Sequence, residues 1–510
     1  MSFLLSLIVW LPLVGAFVLL LVPNMSDATA KRVAFGWSLG VFAASLPLIP
    51  GLGTFLGIPG YDPGNPGLQL VERVPWISAF GVDYHLAIDG ISIWLVLLTT
   101  FLTPITILST FDSVNTRVRA FEAFMLVLET SMLGVLLAQD LFLFYIFWEF
   151  TLVPMYFLIG IWGGSRRIYA TVKFFLYTFA ASVLMLLAII ALYVLWGTNS
   201  FSLPDMVAAL RGGQFALDTT TARWLFLAFF AAFAVKVPLW PFHSWLPDAH
   251  TEAPTAGSVI LAGVLLKLGG YGFIRFNLQL FPEASRFFAF AIGVLAVVGI
   301  IYGAWIAYAQ TDIKKLVAYS SVSHLGFVML GIFALNPLGI HGAILQMVNH
   351  GLSTGALFLI VGMIYERRHT REIDAFGGLW KVMPVYTFLS LLIIMSSIGL
   401  PALNGFVGEA TIMFGTFSSQ VLGWEFAAFG LLGVILAAVY LLWMFRRVMM
   451  GDVTEATAKM RDITRLELAT LVPLVVLIVL IGLYPTPFFQ AMDQSITALA
   501  NGLAPVVAAR

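Results

Sequence analysis

Four charged side chains stand deep inside long apolar runs, a setting whose natural chemistry is the uptake and release of protons. They are Glu149 in FLFYIFWEFTLVPMYF, Lys236 in FAAFAVKVPLWPFHSW, Lys267 in SVILAGVLLKLGGYGF and Glu409 in SIGLPALNGFVGEATIMFG. A charge at the centre of a bilayer costs roughly 2.5–3.5 kcal/mol, so four cost on the order of 10 kcal/mol before pairing. Leucine at each place would favour folding, so function is the first explanation for each. Burial penalises the charged form and an opposite charge restores it, which lets such groups trade protons. Glu149 is expected to be a relay carboxylate rather than a protonated acid that only locks two helices. Lys236 precedes Pro238 and Pro241, which lack N–H groups and free carbonyls on the preceding turn. Irregular backbone at this depth is tolerated only against protein or a wet cavity. The apolar run before Lys236 argues against snorkelling to the interface. Lys267 is expected to take its proton from Lys236, directly or through water and His243. Glu409 follows a second break, at Pro401 and Asn404-Gly405, and suits a final release or uptake site.

Secondary candidates for the same relay are Glu129 (FEAFMLVLETSMLG), His324 (SSVSHLGF), His350 (MVNHGLSTG) and His243 beside the first break. A membrane histidine can equally be a satisfied hydrogen-bonding group. The Ser, Thr and Asn around His324 and His350 suit a water wire from the Lys267 region to Glu409. Asp89, Asp140 and Asp312 lie near helix ends, where an acid caps free N–H groups, and are read as structural. The chain has no cysteine, which excludes cysteine-ligated iron–sulfur clusters and disulfides within it. It has neither a GxxxxGK[ST] loop for nucleotide phosphates nor an HExxH zinc motif. It therefore carries relay residues without an evident energy source.

These residues need long helices to hold them. Of the 510 residues 60% are hydrophobic and 10% charged, against about 25% charged in soluble domains. Continuous apolar runs of about 20 residues mark membrane-spanning helices, and their continuity argues against a barrel. Fourteen are expected, near 3–22, 33–56, 88–110, 121–138, 141–162, 169–196, 224–248, 256–276, 287–309, 315–335, 341–365, 383–418, 426–448 and 466–490. The first replaces a cleavable leader, since it lacks a basic start and a small-residue cleavage site. With the N-terminus outside, 18 basic residues fall on inward loops and 6 outside, Arg510 among them. That asymmetry follows the positive-inside rule and places both termini on the outer face. The outer loop 57–87 is expected to pack over helix ends. Zero net charge suggests no nucleic-acid partner.

Segments 139–162 and 311–334 each open with a polar–Asp pair and are followed at similar distances by proline-broken segments, the mark of a transporter repeat. The expected organisation is 1–120 (helices 1–3), 121–276 (first repeat, helices 4–8), 277–450 (second repeat, helices 9–13) and 451–510 (a loop and helix 14).

Four stretches carry a family likeness: FWEFTLVPMYFLIGIWG, AFAVKVPLWPFHSWLPDAHTEAPTAGSVILAGVLLKLGGYG, DIKKLVAYSSVSHLGFV and QMVNHGLSTGALFLIVG. They resemble the antiporter-like membrane subunits of proton-pumping NADH:quinone oxidoreductase (respiratory complex I) and of multisubunit sodium/proton antiporters. The likeness covers nearly the whole chain and is densest over 139–430. It implies an all-α polytopic fold of fourteen helices with two inverted five-helix repeats, broken at helices 7 and 12 around a hydrophilic axis. It makes Glu149 the fifth-helix glutamate, Lys236 and Lys267 the seventh- and eighth-helix lysines, and Glu409 the twelfth-helix charge. A glutamate at that last place, and an end near 510, resemble chain M (chain 4 in mitochondria) rather than chains L or N. The resemblance further implies a proton-translocating subunit of an oxidoreductase, in a bacterial or mitochondrial inner membrane, with chains L and N on either side. Flavin (FMN), iron–sulfur clusters and quinone would belong to partner subunits, with no cofactor and no redox centre in this chain. Two other readings stay open: a subunit of a sodium/proton antiporter, and a membrane cytochrome using His324 and His350 as haem ligands. An inert scaffold fits the buried charges poorly.

Overall fold

The computed structural model describes residues 3–503; Arg510 and both chain ends lie outside the described residues. The helices are α1 (Leu4–Leu21), α2 (Asp27–Ser45), α3 (Ile93–Ser113), α4 (Val118–Leu137), α5 (Leu141–Trp162), α6 (Arg167–Trp196), α7 (Thr219–Lys236), α8 (Trp245–Glu252) and α9 (Thr255–Leu280). There follow α10 (Pro282–Tyr308), α11 (Ile313–Phe333), α12 (Pro337–Arg368), α13 (Pro384–Ile398), α14 (Asn404–Phe417), α15 (Trp424–Met449), α16 (Arg465–Leu483) and α17 (Thr486–Leu503). Among the described residues eleven helices are long and apolar enough to cross a membrane, fewer than the fourteen expected. The remainder is α2 and the two broken segments, α7–α8 and α13–α14, whose pieces are too short or too polar. The segment expected over 33–56 stops at Ser45, because Pro47 and Pro50 cannot continue a helix.

Two spans are buried throughout their apolar central stretch, α9 and α12. They form the axis of the bundle, and the more apolar helices surround them. The π-helical stretches Leu261–Leu265 and Phe273–Asn277 flank the turn of α9 that carries Lys267. π-helical turns of this kind occur often at functional sites.

The two repeats are built alike. Asp140 accepts the N–H groups of Phe142 and Leu143 and bridges to Ser202; Asp312 accepts those of Lys314 and Lys315 and bridges to Glu372. Each cap is followed by a helix, a long helix, a broken helix and a further helix. The caps lie at opposite ends of α9. Gln139 lines a cavity with Arg275 near its C-terminus, and Lys314 shares one with Thr255 at its start. The repeats are therefore inverted.

The loop 57–87 departs from an all-helical chain. It holds an antiparallel hairpin, β1 (Gln69–Ile77) and β2 (Val82–Ile88), which a proline within the first strand hid from sequence. Glu72 anchors it by accepting the backbone N–H groups of Leu5 at 2.8 Å and Ser6 at 3.0 Å, donors that a helix start leaves free. Arg73 pairs with Asp83 at 2.7 Å and with Asp205 of the short helix Leu203–Arg211 at 2.9 Å. His85 is buried with neither ring nitrogen partnered. Burial first, and Arg73 second, lower its pKa to about 4. The folded hairpin thus keeps this ring neutral, while the unfolded chain takes a proton near pH 6.5. The stability this contributes is present above about pH 6.5 and lost as pH falls toward 4. Hydrogen-exchange protection of the hairpin amides is expected to fall over that window in the wild type and to stay flat in His85→Phe.

Candidate functional site

Lys236 is the last residue of α7. The C-terminal end of a helix carries partial negative charge, which favours an ammonium there. The side chain is 2% exposed; its Nζ donates to Thr151 Oγ1 at 3.2 Å and stands 5.2 Å from the centroid of the Trp148 ring. Both partners come from α5. Glu149 lies between them in sequence, half-buried, facing Tyr145, Ser182 and the Lys236 charge, with Oε1 lacking a hydrogen-bond partner. Glu149 and Lys236 are thus brought together without a direct bond.

Lys267 is buried in the middle of α9. Its Nζ donates to the Ala262 carbonyl and, at 2.6 Å, to Nδ1 of His350 on α12. Nδ1 is then the acceptor of the ring, and the ring hydrogen sits on Nε2, which has no protein partner. The His350 and His324 rings are 6.0 Å apart between centroids. His324 Nδ1 meets Glu409 Oε1 at 2.9 Å, and Gln346 Nε2 donates to the same oxygen at 3.0 Å. Between them lies a cavity of about 10 Å³ lined by both histidines, Asn349 and Ser353, roughly the space of one water. Four of the residues singled out from sequence therefore form one buried file: Lys267, His350, His324, Glu409.

The second break makes room for its end. At Gly399 φ is +85°, a conformation that favours glycine, and a Cβ there would stand 3.2 Å from Glu409 Oε2. Asn404 ties the break to α12: its carbonyl accepts from Asn349 Nδ2 at 2.7 Å and its Oδ1 accepts from Ser396 at 2.5 Å.

Other residues fall elsewhere. His243 packs against Tyr302 and Tyr319, with Lys173 the cation beside it, off the line from Lys236 to Lys267. Those two lysines flank a close helix crossing, where a Cβ on Gly269 would meet the Phe233 carbonyl at 2.7 Å. Glu129 is fully buried against α3, apart from the file. Asp140 and Asp312 are caps as expected, but Asp89 does more. It binds Arg275 through two bonds of 2.6 and 2.7 Å, a partner 186 residues away in sequence that no local pattern reveals. Arg275 and Lys314, counted on loops in the charge tally, are buried within helices.

Two further groups went unnoticed in sequence. His250 on α8 is fully buried, stacked 4.5 Å from Phe358, with both ring nitrogens free and Lys314 and Lys267 as the charges around it. Lys314 donates to the Ala253 carbonyl at 2.5 Å and borders a cavity of about 360 Å³ with Glu252, Glu366 and Arg371. The DAHTEAP run after the first break was the available signal. A haem between His324 and His350 does not fit, because the space there is that of one water.

An inverted-repeat bundle with a buried Lys–His–His–Glu file defines an ion-translocating membrane protein of the antiporter type. The family described as NADH:quinone oxidoreductase/Mrp antiporter, TM matches residues 138–437, and the chain belongs to it. It is 48% identical to the NADH-quinone oxidoreductase subunit M of Rhodobacter capsulatus, over 98% of this chain and 97% of that one. The structure of respiratory complex I from Thermus thermophilus with bound NADH contains a chain at 30% identity and a TM-score of 0.86, covering 98% of this chain and 100% of the other. The Mrp complex from Dietzia sp. shares the fold, with a TM-score of 0.84 at 20% identity and 98% of each chain covered.

Proposed function

We propose that this chain is a proton-translocating membrane subunit of an NADH:quinone oxidoreductase of the subunit M type, lying in an inner membrane between antiporter-like chains L and N. The observation that carries the reading is the buried file from Lys267 to Glu409, with room for one water between its two histidines. Protonated Lys267 donates to Nδ1 of His350; the ring accepts there and releases its Nε2 hydrogen toward the cavity. Water in that space hands the proton to His324, and His324 Nδ1 passes it to Glu409. Each imidazole accepts at one nitrogen and donates from the other, so each is neutral once it has donated, and a turn of the ring restores its starting tautomer. Lys236, poised by Glu149, loads Lys267, and His250 and Lys314 lead from the cavity at the α8 end. Both termini lie on the outer face, and the two repeats are 121–276 and 277–450. Electrons move in partner subunits that hold FMN, the iron–sulfur clusters and quinone, and the energy they release drives the file.

The alternative is a subunit of a sodium/proton antiporter, favoured by the fold shared with the Mrp complex. Purification with flavin- and cluster-bearing partners, rather than with small membrane subunits, decides between the two. For the file itself, Lys267→Ala in the enzyme reconstituted into vesicles is expected to cut protons moved per NADH by on the order of 100-fold, the scale of losing a positioned proton-transfer group. Undiminished pumping by the assembled variant removes Lys267 from the file.

A further inference from the structure

Glu122 and Glu129 of α4 are two turns apart on one face, and both are fully buried. They look onto α3, where Thr99, Thr103, Thr106 and Thr110 form one stripe at helical spacing. Each of these hydroxyls donates to its own helix: Thr99 to the Leu95 carbonyl at 2.7 Å, Thr103 to Thr99 at 2.9 Å, Thr106 to Leu102 at 2.8 Å and Thr110 to Ile107 at 2.6 Å. A hydroxyl has one hydrogen. With that hydrogen spent on the backbone, Thr99, Thr103 and Thr106 offer a neighbouring carboxyl only an accepting oxygen. Thr110 Oγ1 also donates to Glu122 Oε1 at 2.6 Å, so its one hydrogen is shared between that carboxyl and the Ile107 carbonyl. Glu122 Oε2 and both oxygens of Glu129 have no hydrogen-bond partner. An ionised Glu129 so placed would be an unsolvated, undonated charge, which proteins avoid by neutralising it.

The two ends of this row differ. Lys31, itself buried, donates to the Phe111 carbonyl at 2.7 Å and is the cation that acts on Glu122. Ser109 and Ser113 at that end line cavities of about 270 and 360 Å³, ample for water. Glu129 has Thr103 beside it and no cation among the described residues. Leu102, next to Thr103, packs at Gly263, and Gly263 adjoins Ala262, whose carbonyl receives Lys267.

We propose that Glu122, Glu129 and the threonine row of α3 form a second proton-holding site, apart from the Lys236-to-Glu409 line, filled from the Lys31 end and abutting the helix of Lys267. A proton from water joins the Glu122 carboxylate beside Lys31. When Glu129 is without its proton, each threonine hydroxyl turns its hydrogen off its own carbonyl to the next oxygen toward Glu129 and takes another from behind, the last from Glu122, so that every oxygen that loses a hydrogen gains one. The inference rests on the chain carrying protons at all.

The test uses the assembled oxidoreductase in vesicles, with Glu122→Gln, Glu129→Gln and Lys236→Ala measured side by side. Glutamine keeps the shape and a donor but cannot exchange the proton. Both Gln variants are expected to assemble and oxidise NADH, with protons moved per NADH down about tenfold or more. The infrared difference spectrum of turnover is expected to show a protonated-carboxyl band, shifted in D2O, that Glu129→Gln lacks. Should Glu129→Gln fail to assemble, Glu129→Asp takes its place, with lowered pumping and a displaced band expected. Full pumping in the glutamate variants, with Lys236→Ala inactive, overturns the second site alone, as does a carboxyl region of the spectrum in Glu129→Gln identical to that of the wild type. Full pumping in Lys236→Ala overturns the relay reading itself.

Discussion

Lys236→Ala is expected to abolish proton pumping by the assembled enzyme, with a loss on the order of 100-fold or more. The side chain is buried, and its ammonium rests on one hydroxyl and one ring face, so alanine removes both the charge and the proton that it carries at the first break. Moving one charge against 100 mV costs about 2.3 kcal/mol. One pKa unit corresponds to about 1.36 kcal/mol, so a change of under two units at this lysine, as its attraction to Glu149 is perturbed, supplies the work. Lys236→Arg separates charge from proton release. A guanidinium keeps the positive charge but does not give up its proton, so this variant is expected to assemble and still fail to pump. An arginine variant with full pumping would show that only the charge matters at this place.

The largest stability effect is expected at Asp89–Arg275. Each nitrogen of the Arg275 guanidinium has a partner, with two bonds to Asp89 and its Nε 3.1 Å from the Tyr271 hydroxyl. Asp89 in turn accepts the N–H groups of Ile91 at 3.0 Å and Ser92 at 3.2 Å, so one carboxylate joins the end of β2, the start of α3 and the C-terminal part of α9. Arg275→Met strands that carboxylate in a buried site, at a cost of about 3–5 kcal/mol, whereas removing both charges together is often close to neutral. The single variant is expected to lower the melting temperature of the detergent-solubilised complex sharply. The double variant Asp89→Leu with Arg275→Met is expected to recover most of the loss. Equal damage in both would mean that the pair contributes shape rather than charge balance.

The charges at the centre of the bundle were legible in sequence because each interrupts an apolar run, and the two breaks because proline cannot extend a helix. Spacing and residue type also pointed to His324 and His350 beside Glu409. What escaped was whatever depends on distant pairing or on the direction taken after a break. Asp89 looked like a cap until Arg275, far along the chain, met it. His243 follows Lys236 closely, yet the turn after Pro238 points it toward Tyr302 and Tyr319. Lys31, Lys314 and Arg275 sit near the polar ends of spans, where hydropathy cannot separate a loop cation from one tucked into a helix. The hairpin over 69–88 is short and holds Pro75, so its alternation was masked.

The two central helices, α9 and α12, are also the least apolar of the eleven spans. Lipid alone would grip them weakly, since each polar residue lowers the gain from insertion. They are held because more oily neighbours enclose them, so the order of biogenesis matters. The outer ring must be ready to receive these two segments as they leave the insertion machinery. A defect in a rim helix far from any proton carrier should therefore appear as missing protein in the membrane rather than as a leaky or slow pump.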